Sequence, residues 1–125
     1  MQAYVKGSGA AVELYREAFG AEVVSAYVND DGTYYHSELD VYGQILSVSE
    51  ARGAYFGAGE AGTTGSTMQF CLHFAPGEEA EVQRAYGALK AGADILMPLG
   101  PCDYSPLMAD LVDRFGVRWC IFVSC

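Results

Sequence analysis

The chain has 125 residues, 51% hydrophobic and 18% charged, a globular composition sufficient for one domain that buries roughly two thirds of its unfolded surface. Seven basic residues against sixteen acidic ones leave a net charge of −9. That field repels nucleic acid and anionic membranes, so neither is expected as a partner. No apolar run approaches the ~18 residues of a membrane span.

In chain order, residues 2–6 read as a short strand, broken by Gly7-Ser8-Gly9, with Ser8 placed to cap the next helix. Residues 10–19 put Ala11, Leu14, Tyr15 and Ala18 on one helical stripe, and Gly20 stops the helix. Residues 21–28 and 33–42 are strands joined by Asn29-Asp30-Asp31-Gly32, where Asp-Gly is a hairpin signal. Tyr42-Gly43-Gln44 turns the chain into a strand at 45–49. Residues 51–65 hold five glycines and read as a linker. The strand at 67–75 is followed by a helix opening at Pro76-Gly77-Glu78-Glu79, with acids in its first turn and Val82, Ala85, Tyr86 and Leu89 on its stripe; Gly92 ends it. A strand at 93–97, a long loop at 98–106 punctuated by Pro98, Pro101 and Pro106, and strands at 107–113 and 117–124 complete the chain.

The halves echo each other. Met1-Gln2-Ala3 answers Met68-Gln69-Phe70, Gly20-Ala21-Glu22 answers Gly92-Ala93-Asp94, and Tyr42-Gly43 answers Phe115-Gly116, at offsets of 67, 72 and 73 residues. The reading is one α+β domain of two βαβββ units, 1–50 and 66–125, joined by the glycine-rich linker.

Ala11-Val12-Glu13-Leu14-Tyr15-Arg16-Glu17-Ala18-Phe19-Gly20-Ala21-Glu22, His36-Ser37-Glu38-Leu39, Leu46-Ser47-Val48-Ser49-Glu50 and above all Asp113-Arg114-Phe115-Gly116-Val117-Arg118-Trp119 carry a resemblance over nearly the whole chain. They resemble the vicinal oxygen chelate superfamily (glyoxalase, bleomycin resistance, dioxygenase), and within it the PhnB-like branch labelled 3-demethylubiquinone methyltransferase-like. The resemblance implies a curled eight-strand mixed sheet with helices outside and a central cavity. Four inward positions on the first and fourth strands of each unit hold His, Gln or Glu in metal-dependent members.

Carried over, those positions are Gln2, Ser47, Gln69 and Cys120. Ser47 and Cys120 fall four residues after Gly43 and Gly116, Gln69 is counted back from Leu72-x-Phe74, and Gln2 rests on its echo with Gln69. A catalytic divalent site wants imidazole and carboxylate ligands, and these four supply neither. A pocket without metal or other cofactor is therefore expected. His36, Glu38 and Asp40 alternate along one strand and share a face. His36 is a candidate pocket wall or proton carrier, or else a histidine hydrogen-bonded within its sheet. His73 reads as a rim residue. Tyr34, Tyr35, Tyr55, Phe56 and Tyr104 are candidate cavity aromatics. Trp119 flanks Cys120 and so should point to the other side of the sheet, toward a helix.

Four cysteines, at 71, 102, 120 and 125, form no Cys-x-x-Cys pair. With no secretory segment ahead of the first strand, they are expected as free thiols in a reducing cytoplasm. Cys120 is either a reactive cavity thiol or a buried small hydrophobe, and no base for it is identifiable in the sequence. Gly57-Ala58-Gly59-Glu60-Ala61-Gly62 matches a dinucleotide fingerprint but lacks the flanking strand and helix that such a site needs. The repeat likewise offers no βαβ unit for S-adenosylmethionine.

The expectation is a cytoplasmic homodimer that binds a small neutral or cationic organic molecule. Gln2, His36, Ser47, Gln69 and Cys120 would line the pocket, with 51–65 and 98–106 as covers. The alternatives are a metal-dependent lyase or dioxygenase of the glyoxalase type, enlisting His36 or Glu50, and an antibiotic-sequestering resistance protein.

Overall fold

The computed structural model describes residues 1–51 and 67–125. The linker glycines, Tyr55, Phe56 and the dinucleotide-like run lie outside the described residues. The chain divides into two compact units, Met1–Thr64 and Gly65–Cys125, and each follows the order expected from the repeat. The first holds β1 (Gln2–Val5), α1 (Ser8–Phe19), β2 (Glu22–Val28), β3 (Tyr34–Val41) and β4 (Gln44–Glu50). The second holds β5 (Phe70–Phe74), α2 (Glu79–Leu89), β6 (Asp94–Cys102), β7 (Ser105–Val112) and β8 (Arg118–Val123).

Each unit is a four-stranded mixed sheet, ordered β1-β4-β3-β2 and β5-β8-β7-β6. The first strand lies parallel to the fourth, and the remaining pairs are antiparallel. A parallel pair needs a crossover, and the helix supplies it, packing on one face of its own sheet. In the first unit Ala3, Val5, Leu39, Val41, Leu46 and Val48 are buried together with Ala11, Val12, Leu14, Tyr15, Ala18 and Phe19 of α1. The helix buries more than the expected stripe, since Val12 and Phe19 are also enclosed. In the second unit Phe74, Ala109, Leu111, Trp119, Ile121 and Val123 are buried, as are Val82, Ala85 and Leu89 of α2.

The turns obey local chemistry. Tyr42 and Gly43 both take positive φ, 52° and 85°, the two-residue hairpin geometry that suits strand twist. The Asp40 carboxylate accepts the Gly43 N–H at 2.7 Å.

Three expectations need correction. Ser8 does not cap α1. It is the first helical residue, Gly7 is the cap position, and no side chain of the cap residue bonds the helix. The end of β4 does that work: Glu50 accepts the N–H groups of Gly7 (3.1 Å) and Ser8 (2.9 Å) and the Ser8 hydroxyl (2.7 Å). An anion at a helix N-terminus meets unpaired N–H groups and the positive end of the dipole. Second, α2 stops at Leu89, and Gly92 comes two residues past the cap Lys90. Third, the loop at 98–106 is absent. β6 runs through Pro98 and Pro101 to Cys102, and β7 begins at Ser105. Proline is tolerated because β6 is the edge of its sheet, where one side of the strand needs no N–H donors. The register shifts along β6 absorb the rest.

The Asp113–Trp119 stretch is a structural clasp. Asp113, 3% exposed, accepts the backbone N–H groups of Phe115 (2.9 Å) and Val117 (3.0 Å) on one oxygen and the Trp119 indole N–H (2.9 Å) on the other. Trp119 is fully buried, and Phe70 meets it edge-on at 5.2 Å.

Asp113→Ala leaves three donors without this acceptor and should cost about 3 kcal/mol or more, measured by denaturant titration. Glu50→Gln should cost about 1–2 kcal/mol. Burial acts to raise the Glu50 pKa, but hydrogen bonds from Ser8 and Gly7, with the nearby Lys6 charge, outweigh it and hold the carboxyl below its ordinary 4.5. A depressed folded-state pKa stabilises above the unfolded value and loses that contribution as pH falls through the folded one. The gap between wild type and Glu50→Gln should thus be constant near neutrality and shrink below pH 4.5; melting curves across pH check it.

Candidate functional site

Side chains alternate across a strand, so the residues between those packed on each helix form the opposite, open face of each sheet. In the first unit this face carries a row across three strands. Gln2 lies opposite Ser47, and Ser47 opposite Glu38. The Gln2 amide donates to the Ala3 carbonyl (3.0 Å) and the Ser49 hydroxyl (3.3 Å). One step along β3, His36 places Nε2 3.5 Å from the Glu38 carboxylate, with the Tyr27 ring at 6.3 Å. The structure thus brings Gln2, Ser47 and the His36–Glu38 pair onto one face. Asp40 belongs to the turn and Glu50 to the helix N-terminus.

The corresponding row of the second unit is not the one the echo implies. Cys120 lies opposite Cys71, and Asp110 opposite Cys120. Gln69 is exposed and precedes the first residue of β5. Cys71 therefore stands to Cys120 as Gln2 stands to Ser47. The sequence signal for this register was the aromatic at 70: Phe70 lies opposite Trp119 on the buried side, which turns Cys71 and Cys120 outward together.

Around that pair stand Asp110, Arg118 and Phe122, which no sequence motif assigned to a site, with Tyr104 and His73, expected as a cavity aromatic and a rim residue. Arg118 donates to Asp110 through two nitrogens, at 3.0 and 2.8 Å, a bidentate pair that cancels the carboxylate charge. Phe122 is flanked by His73 at 4.3 Å and Tyr104 at 5.3 Å. Tyr104 approaches both Cys120 and Cys102, and the negative charge a Cys120 thiolate would carry is the main cause that raises its pKa. Burial, followed by the charge and hydrogen bond of Cys71, holds the Cys120 thiol above the ordinary thiol range.

This donor chemistry does not fit the divalent centre of metal-dependent proteins of this resemblance. The first row offers an amide, a hydroxyl and one carboxylate, Glu38, which faces His36; the second offers two thiols and Asp110, already paired with Arg118, and Glu50 is spent on α1. Among the described residues no group of three or more His, Cys, Asp or Glu side chains could hold a metal ion. What the two faces can do is donate and accept hydrogen bonds, stack on rings, and present thiols.

Thiol reactivity depends on exposure and thiolate content. Cys71 and Cys125 are exposed, Cys102 is half-buried and Cys120 is buried. Alkylation of the native protein, read by peptide mass spectrometry, should label Cys71 and Cys125 first and Cys120 last, with the order collapsing in denaturant.

No family model matches the chain, and no curated protein does. Solved structures do. A PhnB protein from Bacillus cereus, described as a candidate 3-demethylubiquinone-9 3-methyltransferase, is 23% identical and aligns over 99% of this chain and 95% of its own, with a TM-score of 0.76. TioX from Micromonospora sp. ML1 is 20% identical, over 100% and 98%, with a TM-score of 0.63. A variant of the fosfomycin resistance protein FosX from Listeria monocytogenes, complexed with Mn(II) and 1S,2S-dihydroxypropylphosphonic acid, is 12% identical, over 98% and 87%, with a TM-score of 0.69. At these identities the likeness is one of fold: the chain has the glyoxalase/bleomycin resistance fold of the vicinal oxygen chelate superfamily, as the sequence resemblance implied. Among the described residues no helix is long and apolar enough to cross a membrane.

Proposed function

We propose that this protein binds a small neutral or cationic organic molecule without a divalent metal, and that it works as a cytoplasmic homodimer. The observation that carries the reading is the chemistry of the two register pairs, Gln2 with Ser47 and Cys71 with Cys120. These are the places where metal-dependent proteins of this fold would need hard or imidazole donors. An amide, a hydroxyl and two thiols instead suit hydrogen bonding and soft contact with an organic ligand. His36 and Glu38 add a titratable pair beside the first of these. The net charge of −9 disfavours anionic ligands, and the Asp110–Arg118 pair leaves that guanidinium neutralised. Gln69, exposed ahead of β5, is assigned a rim contact.

A second reading has one support. The FosX variant of the same fold holds Mn(II) and a phosphonate, so a metal-dependent lyase or dioxygenase is the competitor. It would have to recruit His36 with donors that now hold other partners.

Elemental analysis of untagged protein, alongside its native mass, separates the two. The expected result is a dimer with metal far below one ion per chain, and a melting temperature that a chelator leaves unchanged. One Zn, Ni, Mn or Fe per chain, lost with stability on chelation, would sink the proposal.

A further inference from the structure

The binding reading uses Cys71 and Cys120 for hydrogen bonding and soft contact and gives the pair no covalent chemistry. The two are register partners on adjacent parallel strands. Their side chains leave the sheet on the same side, as immediate neighbours across the two strands. Cys71 is exposed and Cys120 buried, so the pair has one open flank. Aromatic surface borders it: Phe122 lies two residues along β8, with the rings of His73 and Tyr104 against it.

The reactions open to two adjacent thiols are few. Ions that demand three or four protein donors are not served, since among the described residues no third His, Cys, Asp or Glu completes a metal group here. Joining the two thiols as a disulfide is a two-electron oxidation that needs an external oxidant. A trivalent arsenic centre that already carries one carbon substituent asks for two sulfurs and no third protein donor. Its pyramidal geometry holds those sulfurs close together, as this pair is held, whereas a linear two-coordinate ion sets them on opposite sides.

We propose that Cys71 and Cys120 form a two-thiol capture site for trivalent organoarsenicals, with an aryl substituent lying against Phe122. In the condensation of an arsonous acid with the pair, two As–O bonds and two S–H bonds break and two As–S bonds form. Each thiol proton leaves with a hydroxyl as water. Arsenic stays trivalent, and no oxidant or reductant takes part. The second condensation is intramolecular, so the adduct should outlast a monothiol competitor by ~100-fold or more. The inference goes beyond the ligand-binding proposal and does not depend on it. A divalent metal found in the protein would overturn that reading and leave the thiol pair untouched.

The test is titration of the reduced, full-length protein with phenylarsine oxide. One arsenical per chain is expected, with two of the four cysteines withdrawn from thiol titration. The adduct should persist in excess glutathione and be released by dithiothreitol. Cys71→Ser and Cys120→Ala should each lose the glutathione-resistant adduct, while Cys102→Ser and Cys125→Ser keep it. Cys71 is exposed, so an unchanged melting temperature in Cys71→Ser separates loss of capture from loss of fold. A resistant adduct that survives Cys71→Ser, one that maps to Cys102 or Cys125, or one that glutathione removes from the wild type would overturn the proposal.

Discussion

The parallel pairing of the first strand of each unit with the fourth governs what surrounds it. Gln2 and Ser47, register partners, are joined through a helix and two further strands. Closing so long a connection costs entropy that local contacts cannot return. The helix recovers it by crossing one face of the sheet and burying that face. The opposite face carries no helix of its own unit, and it is there that the first and fourth strands set their central side chains side by side. The geometry that stabilises each unit also selects which two of its positions stand side by side on the open face.

Much of this was legible in the sequence because it rests on local rules. The order of elements, the helix stop at Gly20 and the turns at Asp31-Gly32 and Tyr42-Gly43 all arise from backbone preferences of a few adjacent residues. What escaped was non-local. Pro98 and Pro101 look like loop punctuation until β6 is known to be an edge. Ser8 looks like a cap until Glu50 arrives from the far end of the unit, drawn by unpaired N–H groups. Gln69 matches Gln2 letter for letter, yet the register of a parallel pair is set by what packs behind the strand. Phe70 against Trp119 places Cys71 in the row instead. Asp110 and Arg118 carried no signal, because a bidentate pair across two strands leaves no spacing to recognise.

The two open faces have diverged while their scaffolds stayed alike. The first carries an amide, hydroxyls and a histidine–glutamate pair. The second carries thiols, rings and a neutralised ion pair. Equivalent positions in a duplicated unit can change in this way because they lie on the face turned away from the helix. The clasp at Asp113 is different in kind. It ties a buried carboxylate to a turn and to an indole, and the most recognisable stretch of the sequence is explained by holding a strand in place.

That clasp also installs an optical probe. Trp119 is the only tryptophan in the chain, it is fully enclosed, and its indole N–H faces a carboxylate. The first unit contributes tyrosines and no indole. Emission excited at the red edge of the absorption band therefore belongs to the second unit alone, while circular dichroism weighs both. Comparing the two signals through one melt reads directly whether the halves of this repeat unfold as one cooperative body or as two.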